Sequence, residues 1–136
     1  MRYFFIILTY IVSAFLFSCE DTPIINCADC RSEEPTNATI EVRIDDWRSL
    51  IIVEVFSGNL EDRILYISYH ATGPEVNISL PVNNVYTITA TYDIEGKTYV
   101  AVDSVYPRVK FSEDQCDEPC YYIYDKTVNL KLKYRD

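Results

Sequence analysis

The chain has 136 residues, 21 of them acidic and 12 basic, with a formal net charge of −9, five cysteines and one histidine. This length suits one domain with a true core. The acidic balance excludes the usual electrostatic route to nucleic acid, which needs a basic surface to displace counterions from phosphates, and one histidine cannot supply an H-E-x-x-H zinc-protease motif.

Met1 and Arg2 precede an uncharged run of fifteen residues, YFFIILTYIVSAFLF, from Tyr3 to Phe17. A basic start, a short apolar stretch and a small residue at Ser18 make the three-part layout of a secretory signal. The run is shorter than the roughly 20 residues needed to cross a hydrocarbon core of about 30 Å, so a permanent transmembrane anchor is the weaker reading. The cysteine at its end sharpens the reading. Leu16-Phe17-Ser18-Cys19 resembles the lipobox of bacterial lipoproteins, in which the cysteine is lipidated and becomes the new N-terminus. Phe17 is bulkier than the residue usual at its position. The resemblance implies a signal peptide over residues 1–18, an acyl anchor on Cys19 and the membrane as a partner; stable anchoring takes more than one acyl chain. The competing reading is an ordinary cleaved signal that leaves Cys19 as a free or paired thiol. Glu20 and Asp21 follow at once and resemble the export signal of Bacteroidota-type surface lipoproteins, which implies an outer-membrane protein facing the cell exterior.

From Cys19 onward there are 11 basic and 21 acidic residues, a formal balance of −10. Residues 19–37 are expected to be a lipidated N-terminus and acidic tether, with little apolar periodicity and two prolines. Residues 38–136 are expected to be a β-sandwich domain.

Within that domain nearly every segment alternates with a period of two, the signature of half-buried strands. Ile40, Val42 and Ile44 share one face, as do Ile51, Val53 and Val55. RILYISY (residues 63–69) is rich in β-branched and aromatic residues, and Val76, Ile78 and Leu80 alternate with Asn77 and Ser79. In VYTITATY, Tyr86, Ile88, Ala90 and Tyr92 oppose Thr87, Thr89 and Thr91; a turn at Ile94-Glu95-Gly96-Lys97 leads into TYVAVDSVY. The last run, TVNLKLKY, sets Val128, Leu130, Leu132 and Tyr134 inward. Pro74, Pro81, Pro107 and Pro119 stand at the ends of runs, where a missing N–H does least damage. The pattern predicts an all-β fold, a single antiparallel β-sandwich of about seven or eight strands of the immunoglobulin or prealbumin-like kind, with no helix after the signal.

Residues 80–99, LPVNNVYTITATYDIEGKTY, resemble the leucine-proline, turn, tyrosine, alternating-strand signature of prealbumin-like sandwiches, a group that includes carboxypeptidase regulatory-like and collagen-adhesin B-type domains. Asn83-Asn84 replaces the usual glycine, and asparagine also tolerates the left-handed turn. The isopeptide crosslink of some adhesin domains needs a lysine in an early strand, which here reads TIEVRI.

Cys27-Ala-Asp-Cys30 and Cys116-Asp-Glu-Pro-Cys120 carry the strongest chemical signal. A redox C-x-x-C would need an activating helix N-terminus near a βαβ unit. Four thiolates at this spacing approximate a tetrahedral zinc site. In an exported chain two structural disulfides are the expected outcome, with no metal and no cofactor. Four cysteines allow three pairings. Bridges between the motifs would close loops of some 90 residues, each worth about 4–5 kcal/mol by chain entropy; pairing within each motif is the alternative.

Candidate sites are few. His70 ends a strand run, and Ser57-Gly58 lacks the glycine that a nucleophile elbow places two residues before its serine. The acidic groups at Asp45-Asp46, Glu61-Asp62 and Glu113 to Glu118 lack calcium-loop spacing and read as solvated loops. Trp47 is the candidate ligand contact, since tryptophan and tyrosine offer flat apolar area with a polar tip to sugars or proteins. Asp103-Ser104-Val105 matches the Bacteroidota O-glycosylation motif, which makes Ser104 a candidate acceptor. The whole resembles a Bacteroidota surface lipoprotein, which implies a non-enzymatic display or binding module with a glycan or envelope protein as partner. The alternative is a structural subunit of a surface or fimbrial assembly.

Overall fold

The computed structural model describes residues 24–45 and 50–133. The expectations for the signal segment, for Cys19 and for Trp47 lie outside these residues. Nine strands follow one another: β1 (Asn37–Arg43), β2 (Ile51–Ser57), β3 (Leu65–Ala71), β4 (Glu75–Pro81), β5 (Tyr86–Ile94), β6 (Lys97–Val105), β7 (Arg108–Ser112), β8 (Cys120–Tyr124) and β9 (Thr127–Asn129). Two 3-10 turns, Cys27–Asp29 and Leu60–Asp62, are the only helical elements among the described residues.

The strands form three sheets: a four-stranded one ordered β3-β2-β5-β6, a three-stranded one ordered β4-β1-β9, and the β7–β8 hairpin. The first two face each other across one core in a sandwich-like arrangement. Alternation decides which side chains enter it, because successive residues of a strand point to opposite faces. Ala38, Ile40 and Val42 from β1, Ile78 and Leu80 from β4, Val53 and Val55 from β2, and Ile88, Ala90 and Tyr92 from β5 are all buried there. Burial of each Ile, Leu or Val contributes about 1.5–3 kcal/mol. Registers align these residues across strands: Ile40 pairs with Ile78, and Val55 lies between Ile67 and Ile88.

Three features depart from the sequence reading. There are nine strands in three sheets, because RVKFS and CYYIY pair as a hairpin outside the main alternation. The β9 strand runs parallel to β1, with Val42 beside Val128, so the sandwich is not purely antiparallel. The ladder of β9 also stops at Asn129. Leu130 is nevertheless buried, and its N–H donates to the Arg43 carbonyl at 2.8 Å.

Turn chemistry sets the connections. Glu95 and Gly96 both have positive φ, 53° and 77°, with Ile94 paired to Lys97. Two positive-φ residues between paired strands match the strand twist and close a tight hairpin. Asn83 takes φ 61°. Its N–H donates to the Pro107 carbonyl at 2.7 Å, and its Oδ1 accepts from Val109 N at 3.2 Å, so this turn holds the root of β7.

Two tyrosines carry polar groups into the interior. Tyr92 Oη donates to the Leu130 carbonyl at 2.7 Å and accepts from Asp45 N at 3.3 Å. Tyr86 Oη donates to the Pro81 carbonyl at 3.0 Å. Burial, and to a lesser degree the nearby Tyr66 phenol, push the Tyr86 pKa above its ordinary value, while a hydrogen bond with Asn84 pulls it back.

Candidate functional site

The cysteine motifs meet at the loop end of the β7–β8 hairpin. Cys27 is bonded to Cys116 and Cys30 to Cys120, across sequence separations of 89 and 90. The Cys27–Asp29 turn bends the first motif: Asn26 Oδ1 accepts from Ala28 N at 3.1 Å, and Cys30 N donates to the Cys27 carbonyl at 3.4 Å. Immediately beyond Cys30 and Cys120, Arg31 and Tyr121 exchange backbone hydrogen bonds of 2.9 and 2.7 Å. The segment before β1 is therefore laid against β8 by backbone pairing as well as by sulfur.

Between this segment and β8 runs a groove of ≈ 310 Å³ bordered by Asp29, Arg31, Tyr121, Tyr122, Ile123 and Lys126. That volume is at the lower end of the range for small-molecule sites, about 300–1,000 Å³. Lys126 Nζ stands 3.6 Å from Asp29 Oδ2, both side chains well exposed, so the pair contributes little to stability and is open to exchange for a ligand. Tyr122 is buried, and the Tyr121 ring packs on Phe111 with centroids 4.9 Å apart. The groove is thus bordered by one guanidinium, one ammonium, one carboxylate and two tyrosines.

A second set of aromatic and cationic groups lines the hairpin itself. The Arg108 guanidinium lies 4.4 Å from the Tyr124 ring centroid and 5.0 Å from that of Tyr106, and Lys110 Nζ lies 5.3 Å from Tyr124. Cations over aromatic faces contribute about 0.5–1 kcal/mol each at exposed sites. The ladder sets Arg108 opposite Tyr124, and Lys110 follows two residues on along the same face.

The other residues singled out in the sequence are dispersed. His70 is exposed on β3 opposite Ile52. Ser104 is exposed on β6 opposite Thr87, with its N–H donating to Asp103 Oδ1 at 2.8 Å. Asp45 differs from its reading as a solvated loop carboxylate: Asp45 Oδ2 accepts from Leu132 N at 2.8 Å and secures the last extended segment. Arg31, Lys126 and Tyr121, which border the groove, drew no attention in the sequence. The period-two signal in CYYIY was available, but its five residues are flanked by cysteines and loop acids that read as a bridge-bearing loop.

No protein-family model, no curated protein and no solved structure matches this chain.

Proposed function

We propose that this chain is a lipid-anchored, non-enzymatic module displayed at the outer face of a bacterial outer membrane, where its groove captures a glycan. The observation that carries the reading is the pair of disulfides that lock the segment before β1 onto β8, the two walls of the groove. Structural disulfides belong to extracytoplasmic compartments. Cys19 lies only eight residues before Cys27, so a lipid on Cys19 would tether the chain close to the groove. The prealbumin-like assignment of the sandwich rests on Leu80-Pro81, the left-handed Asn83 and the buried Tyr86 at the head of β5.

The reading is tested with the purified protein on a glycan array. Binding that is lost in Tyr121→Ala and in Arg31→Ala supports it. Mass analysis of the protein made in its host tests the anchor: a chain that begins at Cys19 and carries acyl mass is expected, and an unmodified Cys19 overturns the anchor.

A second reading, a subunit of a surface assembly, is favoured by one observation. Among the described residues β6 is an edge strand of its sheet, and Val100 and Val102 on it are 56% and 51% exposed. An edge strand can template pairing with a strand of another chain. Silence on the array together with concentration-dependent oligomers favours this second reading.

A further inference from the structure

The four cysteine sulfurs form a single cluster. Cys30 Sγ and Cys116 Sγ, which belong to different bridges, are 3.6 Å apart. The sulfurs of Cys30, Cys116 and Cys120 all lie within 4.8 Å of one another, and Cys27 joins them through its bond to Cys116. Tetrahedral zinc with Zn–S bonds of about 2.3 Å sets its sulfurs roughly 3.8 Å apart. The distance between the bridges already approximates that spacing, and the bonded pairs have only to part.

Backbone contacts as well as S–S bonds hold this cluster together. The Cys27–Asp29 turn brings the first two cysteines together, and residues 117–119 separate the second two. The reciprocal Arg31–Tyr121 hydrogen bonds then set the motifs side by side. Backbone pairing thus holds the two motifs beside each other in addition to sulfur. The cluster opens to solvent, with Arg31 at its mouth to offset the negative charge of four thiolates, and with Asp117 and Glu118 beside it to draw a cation in.

We propose that the cluster is a redox-gated metal site that holds one Zn²⁺ on the thiolates of Cys27, Cys30, Cys116 and Cys120 when reduced and releases it when the two disulfides form. Two equivalents of a dithiol reductant deliver four electrons and four protons. Both S–S bonds break, four thiols form, and each reductant becomes a disulfide. Zn²⁺ then displaces four protons as four Zn–S bonds form. Release runs the other way: two equivalents of a small-molecule disulfide accept the four electrons and, with four protons, become four thiols, while both protein S–S bonds re-form and Zn²⁺ is freed. The inference shares Cys30 and Arg31 with the groove of the glycan reading, but the two fail separately, because metal binding is read on the reduced sulfurs and glycan binding on the oxidised protein.

The test uses the purified full chain with Co²⁺ as probe, in its oxidised form and after anaerobic reduction with a phosphine. The reduced protein is expected to develop thiolate-to-cobalt charge-transfer and tetrahedral ligand-field bands that saturate at one metal per chain and are bleached by one equivalent of Zn²⁺. The oxidised protein is expected to develop none. Cys120→Ser is expected to weaken binding by more than about 100-fold, beyond the loss typical of removing an outer-shell partner. The near-ultraviolet tyrosine signal, followed in the same titration, separates a folded site from capture by an unfolded chain. Retention of the native signal at saturation supports the proposal. No tetrahedral bands, undiminished binding by Cys120→Ser, or binding accompanied by loss of the tyrosine signal overturns it.

Discussion

Tyr92 and Leu130, 38 residues apart, are joined inside the core by a 2.7 Å hydrogen bond from the phenol to the backbone carbonyl. The bond connects the centre of the four-stranded sheet to the chain just past β9, where the ladder has stopped. The same oxygen accepts from Asp45 N, so one phenol satisfies backbone groups of two segments. An unpartnered buried carbonyl or amide costs about 1–3 kcal/mol. Tyr92→Phe keeps the ring and removes only the oxygen. It is expected to destabilise the protein by about 1–3 kcal/mol, read as a lower urea midpoint with unchanged m.

Asp45 secures the next stretch through its bond to Leu132 N. Asp45→Ala is expected to cost about 1–2 kcal/mol, because a charge-assisted hydrogen bond is lost. The loss is local: amide exchange at Leu132 is expected to accelerate sharply, with exchange at Ile88 and Val55 little changed.

The two disulfides are interleaved, and this makes their losses non-additive. With Cys30–Cys120 in place, Cys27–Cys116 closes only the short ring formed by the two motifs. Removing either bridge as a Cys→Ser pair is expected to cost about 2–3 kcal/mol, and removing both about 7 kcal/mol in the chain-entropy treatment. Chemical denaturation of the two double variants and the quadruple variant checks this. Additive losses near 4–5 kcal/mol per bridge would contradict this dependence of one bridge on the other.

Tyr86 gives the fold a sensitivity to alkali. Its pKa is raised in the folded state, so the unfolded chain gives up the phenolic proton first. The stability this group contributes is complete below its unfolded value of about 10 and is lost as pH rises through the higher folded value. Tyr86→Phe is therefore expected to lose stability less steeply than the parent above about pH 10, although it starts lower for want of the bond to Pro81. Urea midpoints measured on both proteins across this range give the difference directly.

The alternating runs of β1, β2 and β4 were legible because each presents one buried face. Ile40, Val42 and Ile44 read as a strand face in the sequence, and all three are fully buried. The Glu95-Gly96 turn was equally plain, since few residues adopt two successive positive φ angles. The β7–β8 hairpin was not legible. Phe111 is 50% exposed, and Arg108 and Lys110 cover tyrosine rings instead of entering a core, so no apolar face announces the strand. The parallel pairing of β9 with β1 was hidden as well, because alternation shows which face of a strand is buried but not which neighbour it takes or in which direction.

By itself the sequence determined an all-β domain with a core drawn from alternating residues, an acidic surface, and two cysteine motifs at opposite ends of the domain. Those properties are local: period-two burial, turn propensity and charge are carried by residues near one another in the chain. Only the tertiary structure decided that Cys27 meets Cys116 and Cys30 meets Cys120, that Arg31 lies against Tyr121, and that a groove opens between them. These pairings join residues some 90 positions apart, and their geometry depends on the sandwich bringing the two ends of the domain together.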